Sequence, residues 1–295
     1  MADTSSSMSL PNSKSCVRSI SLSTRSHPYT LRIEEEINKL KTSLSTTNAE
    51  AIQSGLSGLK DLYHCVDDVL QLPLTTQRSH TNAHDEKLVN EVLDESVKVL
   101  DVCDSTKNIL VQMKENVREL QCGLRRRGWE STAESNIDAY MCSRKKLRKE
   151  MVKSIGSLKK MESKLESQSV VVDQDNHLVV VARLLREVSS ITISVFRSLL
   201  QFLSVSSSNS TSKWSLVSKL LNHKEQSSQN EAMVNEVESV DFALHNLSSA
   251  SLEMTQAKVN ILECGIEGLE DELETLFKCL IKTRVSLLNN SSLSQ

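Results

Sequence analysis

The chain is 295 residues long, 38% hydrophobic and only 3% aromatic, and it carries a net charge of −3. That length can bury a full core of its own, while seven Gly and three Pro leave few turn-makers, which argues for long helices and against a sandwich or barrel. The slightly acidic balance excludes a surface committed throughout to nucleic acid or to an anionic membrane.

The first 30 residues hold ten Ser and three Thr, with Lys14, Arg18 and Arg25 set against a single acid, Asp3. No apolar run follows Met1, so a secretory signal is not expected. The composition overlaps with that of an organelle transit peptide, but it describes an ordinary disordered tail equally well, and residues 1–28 are read as such a tail. Arg18 lies three residues before Ser21, a spacing that basophilic kinases accept, which makes Ser21 a candidate phosphorylation site. A phosphate there would add roughly −1.5 to −2 of charge beside Arg18 and Arg25.

Helical periodicity then takes over. Leu31, Ile33, Ile37, Leu40 and Leu44 predict a first helix. Asn48 can cap a second, with Ile52, Leu56, Leu59, Tyr63, Val66 and Leu70 at three- and four-residue steps and Pro73 beyond its end. Residues 75–85 read as a polar loop. From Leu88 a third helix carries a seam through Val99, Cys103, Thr106, Leu110, Met113, Val117, Leu120 and Leu124. It ends at RRRG, residues 125–128, where cations offset the negative helix C-terminus.

The fourth helix, about residues 132–167, is strongly basic through SRKKLRKEMVKS and LKKMESK. Residues 178–205 are apolar on nearly every side and would span about 42 Å as a helix. Arg183, Arg186, Glu187 and Arg197 argue for the centre of a bundle rather than a membrane span, because each charge near a bilayer midplane costs at least roughly 2.5 kcal/mol. A Ser-rich linker covers about residues 204–230 and contains the short helical patch KWSLVSKLL. The last helix begins near Met233, and its frame slips around residues 248–251. Past the slip Val259, Leu262, Ile266, Leu269, Leu273, Leu276, Leu280, Thr283 and Leu287 keep strict heptad spacing.

Charge is segregated along the chain. Residues 125–164 carry twelve Lys/Arg against five Asp/Glu, whereas residues 225–295 carry four against twelve. The near-cancellation predicts that the fourth and C-terminal helices lie side by side.

Reactive centres are hard to find. His80 and His84 have a His-x-x-x-His spacing, but they fall in the predicted loop without a second ligand pair. His64 and Cys65 are adjacent on a helix and point about 100° apart, so they cannot act as base and nucleophile. Gly55-Leu56-Ser57-Gly58 lacks the strand of a nucleophile elbow, and Gly265 and Gly268 lie inside the heptad run. The seven cysteines never form a Cys-x-x-Cys pair and read as reduced thiols, most of them small core residues. No enzyme activity, cofactor or metal is expected.

Six tracts in order carry a resemblance: RSISLSTRSHP at 18–28, LYHCVDDVLQLPLT at 62–75, LDVCDSTKNILVQMKENVRELQCGLRRR at 100–127, SRKKLRKEMVKSIGSLKKME at 143–162, KWSLVSKLL at 213–221 and ECGIEGLEDELETLFKCLIKTRVSLLNN at 263–290. Together they resemble, over about residues 16–290, a plant family classed as a domain of unknown function, number 241. Members usually have Pro where this chain has Ser23. The resemblance implies a plant source and a part in root and shoot development, with no catalytic residues to carry over. It also implies that the N-terminal stretch is a retained part of the family domain.

The expectation is thus an all-α, elongated bundle of about six main helices with a coiled-coil-like C-terminal helix. One helical domain covers residues 29–290, and residues 291–295 form a tail. The expected function is non-enzymatic docking of an unknown protein partner, with integral membrane insertion and nucleic-acid binding disfavoured. Candidate contacts are Arg144, Lys145, Lys146, Arg148 and Lys149 on the basic helix and Leu269, Leu273, Leu276 and Leu280 on the heptad seam. The expected compartment is cytoplasm or nucleus, organelle import being the lesser alternative. A peripheral membrane or organelle-associated factor using the basic helix and the N-terminal segment is the second reading.

Overall fold

The computed structural model describes residues 28–43, 48–72, 83–126, 132–167, 177–205 and 235–292. These residues form seven α-helices and one 3-10 turn, with no strand among them: α1 Pro28–Ser43, α2 Ala49–Leu70, α3 Ala83–Arg125, α4 Ala133–Ser167, α5 His177–Ser204, α6 Glu236–His245 and α7 Leu252–Ser292. The helical bundle expected from periodicity is present, with a long C-terminal helix and one helix more than six. The extra one arises at the frame slip. Ser248 leaves the helical conformation at φ −144°, ψ 165°, its N–H donates to Ser251 Oγ at 2.9 Å, and the 3-10 turn Ser249–Ser251 separates α6 from α7.

Local sequence sets the helix ends. Asn48 accepts the Ala51 N–H at 3.0 Å and caps α2, a contact of the kind that contributes about 1 kcal/mol. The 43 residues of α3 make a rod about 65 Å long. It starts at Ala83, so the last residues of the predicted loop are helical.

Side-chain pairs give the packing. Along α2 and α7, Lys60 meets Glu272 and Asp67 meets Lys282, so these two helices run parallel. On the other side of α7, Lys107 pairs with Glu274, Lys114 with Glu270 and Arg118 with Glu263, an antiparallel ladder to α3. α4 returns along α3, and α5 returns along α4, with Arg144 near Leu203 and Glu162 near Arg197. The acidic C-terminal helix is therefore matched by α2 and α3 and not by the basic fourth helix, which corrects the pairing predicted from net charge. α3 presents Lys107, Lys114 and Arg118 at steps of seven and four, the spacing that faces one helix, so a short cationic row outweighs a larger regional excess.

One contiguous apolar core draws on all seven helices. α5 touches α1, α2, α3 and α4, which accounts for its apolar character all round. No helix among the described residues is long and apolar enough to cross a membrane. Where α2 and α7 cross, a Cβ on Gly268 would lie 2.1 Å from Gln53 Nε2, so the glycine permits a close approach. The cysteines depart from expectation. Of the six described, Cys65 and Cys103 are buried and Cys279 is half-buried, while Cys122, Cys142 and Cys264 are exposed.

Asp67 ties α2 to the far end of α7. Its carboxylate accepts from Gln71 Nε2 at 2.8 Å, Ser286 Oγ at 2.7 Å and Lys282 Nζ at 2.7 Å. Burial acts to raise this carboxyl, but the hydrogen bonds and charge supplied by Lys282 and Ser286 outweigh it and hold the group below its ordinary range. A lowered folded-state pKa means stability that is present above the unfolded value and lost as pH falls through the folded one. Lys282→Met therefore lowers the urea midpoint at pH 7, and the gap to the native chain is smaller at about pH 3, below the unfolded carboxyl value. Paired urea titrations at the two pH values check this, and a gap of constant size would exclude Asp67 as its source.

Candidate functional site

The inward face of α4 consists of Tyr140, Arg144, Leu147, Met151 and Leu158, all buried at three-, four- and seven-residue steps. Arg144 is the anomaly in that row. Its guanidinium donates to Leu203 O and Val205 O, each at 2.6 Å, and lies 3.5 Å from Asp241 Oδ2. Those carbonyls lie at the C-terminal end of α5, where backbone acceptors have no partner within the helix. Asn235 completes the junction by donating to Phe202 O at 2.9 Å while its Oδ1 accepts the Val237 N–H and caps α6. Tyr140 donates to Asp241 Oδ1 at 3.4 Å. Burial pushes Asp241 up from its ordinary carboxylate value, and the Arg144 charge opposes that rise without cancelling it. Burial likewise holds the Tyr140 phenol far above its usual range.

Arg144, read from the sequence as a docking cation, is thus an internal clamp, withdrawn from solvent. Its neighbours differ. Lys145, Lys146, Lys149, Lys153, Lys160 and Lys164 are exposed, and Arg148 is half-buried. Lys145, Lys146, Lys149, Lys153 and Lys160 fall at helical steps that share the outward side over about 22 Å, whereas Lys164 lines a small cleft with Glu95, Met161 and Ile193. The ion pairs that α4 makes with other described residues use Arg144 and Glu162, on its inward side.

The heptad seam sits elsewhere. Leu269, Leu273 and Leu276 are completely buried and Leu280 nearly so, within the apolar core that α7 shares with α2 and α3. Both sides of the seam belong to this chain, so the seam is closed to an outside partner in the folded bundle. Ser21 lies outside the described residues.

One feature escaped the sequence reading. Asp241 shares the core-facing row of α6 with Val237, Val240 and Leu244, and an acid in that register was the available signal for a buried cation opposite it. Lys153 and Lys160, both within the basic tracts read from the sequence, continue the outer face beyond its first turns.

His64 Nε2 lies 3.9 Å from Cys279 Sγ, across the α2–α7 contact and not beside Cys65. Burial pushes the thiols of Cys65, Cys103 and Cys279 up, Cys103 to about 12, so they stay protonated at neutral pH, whereas the thiolate is the nucleophile. Among the described residues no three His, Cys, Asp or Glu side chains cluster as metal ligands. His80 lies outside these residues. A polar cleft of about 350 Å³ opens beside Lys41, Ser194, Arg197 and Gln201. Arg197 is already paired with Glu162, to which Ser194 donates at 3.4 Å.

No curated protein and no solved structure gives a significant match to the chain. A family model does match, over residues 55–289, and its description is Protein BPS1. The plant family inferred from the six tracts is thereby supported, under that description and not under the number 241. Because the match covers most of the chain, from the second turn of α2 to the last turn of α7, the chain belongs to the Protein BPS1 family, a plant family linked to development.

Proposed function

We propose that this protein is a non-enzymatic regulator in plant root and shoot development that binds an acidic protein surface through the outer lysine face of α4, in the cytoplasm or nucleus. The observation that carries this reading is the contrast within one helix. The inward cation is consumed by the fold, while five lysines on the outer side form no ion pair with another described residue. A row of like charges held on a rigid helix repels itself, and the matching anionic surface relieves that repulsion and steers encounter. Membrane association is the weaker alternative for this face. A helix lying in a bilayer interface buries a broad apolar side, whereas the apolar side of α4 is already inside the bundle and Val152 is its one large exposed apolar residue.

Reversing Lys146, Lys149, Lys153 and Lys160 to Glu is expected to abolish partner capture from plant extract. The melting temperature should hardly move, since exposed substitutions of this kind stay within about 0.5 kcal/mol each. Raising salt should weaken capture by the native chain in the same way. Undiminished capture by the reversed chain would rule this face out, and binding to phosphatidylserine vesicles without a captured protein would transfer the face to the membrane reading.

A further inference from the structure

The first turns of α7 leave an apolar stripe uncovered. Met254, Ala257, Ile261 and Cys264 follow steps of three, four and three, all are exposed, and Met254 and Ile261 reach 65% and 59%. Gly268 stands seven residues beyond Ile261, on the same side, and there α2 lies against the helix through Gln53. Gly265 meets Ala49, the first residue of α2. The stripe is therefore the continuation of the α2 packing surface past the point where α2 begins, and no described helix lies along it.

We propose that residues 213–221 of this same chain, KWSLVSKLL, occupy the stripe. The chain's path supports this occupant. It leaves the described bundle at Val205 and re-enters at Asn235, and these ends are held together because Asn235 Nδ2 donates to Phe202 O at 2.9 Å. The next residue, Glu236, accepts the Ala49 N–H at 3.3 Å, which places the re-entry point beside the residue that meets Gly265, at the end of the stripe. The stretch 222–234 could extend over roughly 43 Å at about 3.3 Å per residue, well beyond the ~15 Å from Met254 to Cys264. In a helical conformation Trp214, Val217 and Leu221 would share one side, while Ser215 and Lys219 would fall off it. A helix this short does not hold in water alone and needs an apolar surface to lie on. The N-terminal segment is the poorer candidate, because α1 starts at the opposite end of α2 from Ala49.

Trp214 gives the test its signal, since Trp129 is the only other tryptophan. In a Trp129→Phe full-length chain, Trp214 emission is expected to be blue-shifted and poorly quenched by acrylamide. Adding Met254→Asp and Ile261→Asp should move the emission to that of exposed indole and raise quenching several-fold. Solvent-like emission before those changes overturns the proposal, as does a blue shift indifferent to them. A blue shift that disappears on dilution together with a sedimenting dimer also overturns it, in favour of a second copy. A second measurement leaves every described residue intact. In Trp214→Asp with Leu221→Asp, alkylation of Cys264 should accelerate several-fold relative to Cys122 and Cys142, and an unchanged Cys264 rate overturns the proposal.

Discussion

Replacing Arg144 by Met lowers the unfolding free energy by about 3–5 kcal/mol, the usual consequence of removing one partner of a buried ion pair. The loss has two parts here. Leu203 O and Val205 O forfeit their donor, and the Asp241 carboxylate stays buried without its cation. The pH dependence separates the parts. Asp241 already has a raised folded-state pKa, so its contribution to stability is greatest below the unfolded value, about 3.9, and falls as pH rises through the folded value. Without the opposing arginine that folded value climbs further. The deficit of Arg144→Met should therefore be larger at pH 8 than at pH 5, and adding Asp241→Asn should remove that difference. Urea titrations at both pH values measure it. An equal deficit at each would mean that the carbonyl contacts alone account for the effect.

Leu273→Ala should be nearly as damaging, at about 2–5 kcal/mol, because the residue is fully enclosed and its truncation removes buried apolar contacts and leaves a cavity. Leu269→Ala and Leu276→Ala should fall in the same range. Ile281→Ala provides the contrast on the same helix, since Ile281 is 43% exposed and its truncation should stay within about 1 kcal/mol. Chemical denaturation of the four variants tests whether the seam is internal. If truncating the leucines left stability intact but abolished binding to a partner, the assignment of the seam to this bundle would fail.

Periodicity along the chain was enough to read most of the helices, because the apolar spacing of α2, α3 and α7 is a local property that each helix displays on its own. Pairing between helices is not local. The acidic α7 lies against α3, which itself carries more acids than bases, and the pairing is made by three cations at matching steps, not by regional net charge. The same limit hid Arg144. In the tract SRKKLRKE it looks like its neighbours, and only its alignment with Tyr140, Leu147 and Met151 marks it as inward. Asp241 was hidden in the same way by the apolar row it shares with Val237, Val240 and Leu244. Cysteine burial followed register as well. Cys103 stands on the core side of α3 and Cys122 on its outer side, a difference that residue type does not convey.

The tie between the end of α5 and the start of α6 has a practical consequence for handling the molecule. Since Arg144 grips Val205 and Asn235 grips Phe202, the backbone on either side of residues 206–234 is anchored independently of what joins it. A reporter domain or a protease recognition sequence spliced at about residue 226 should leave the scaffold standing, because doubling the length of a connecting segment costs only about 0.6 kcal/mol. Cleavage at such an engineered position should then yield two fragments that elute together until denaturant separates them.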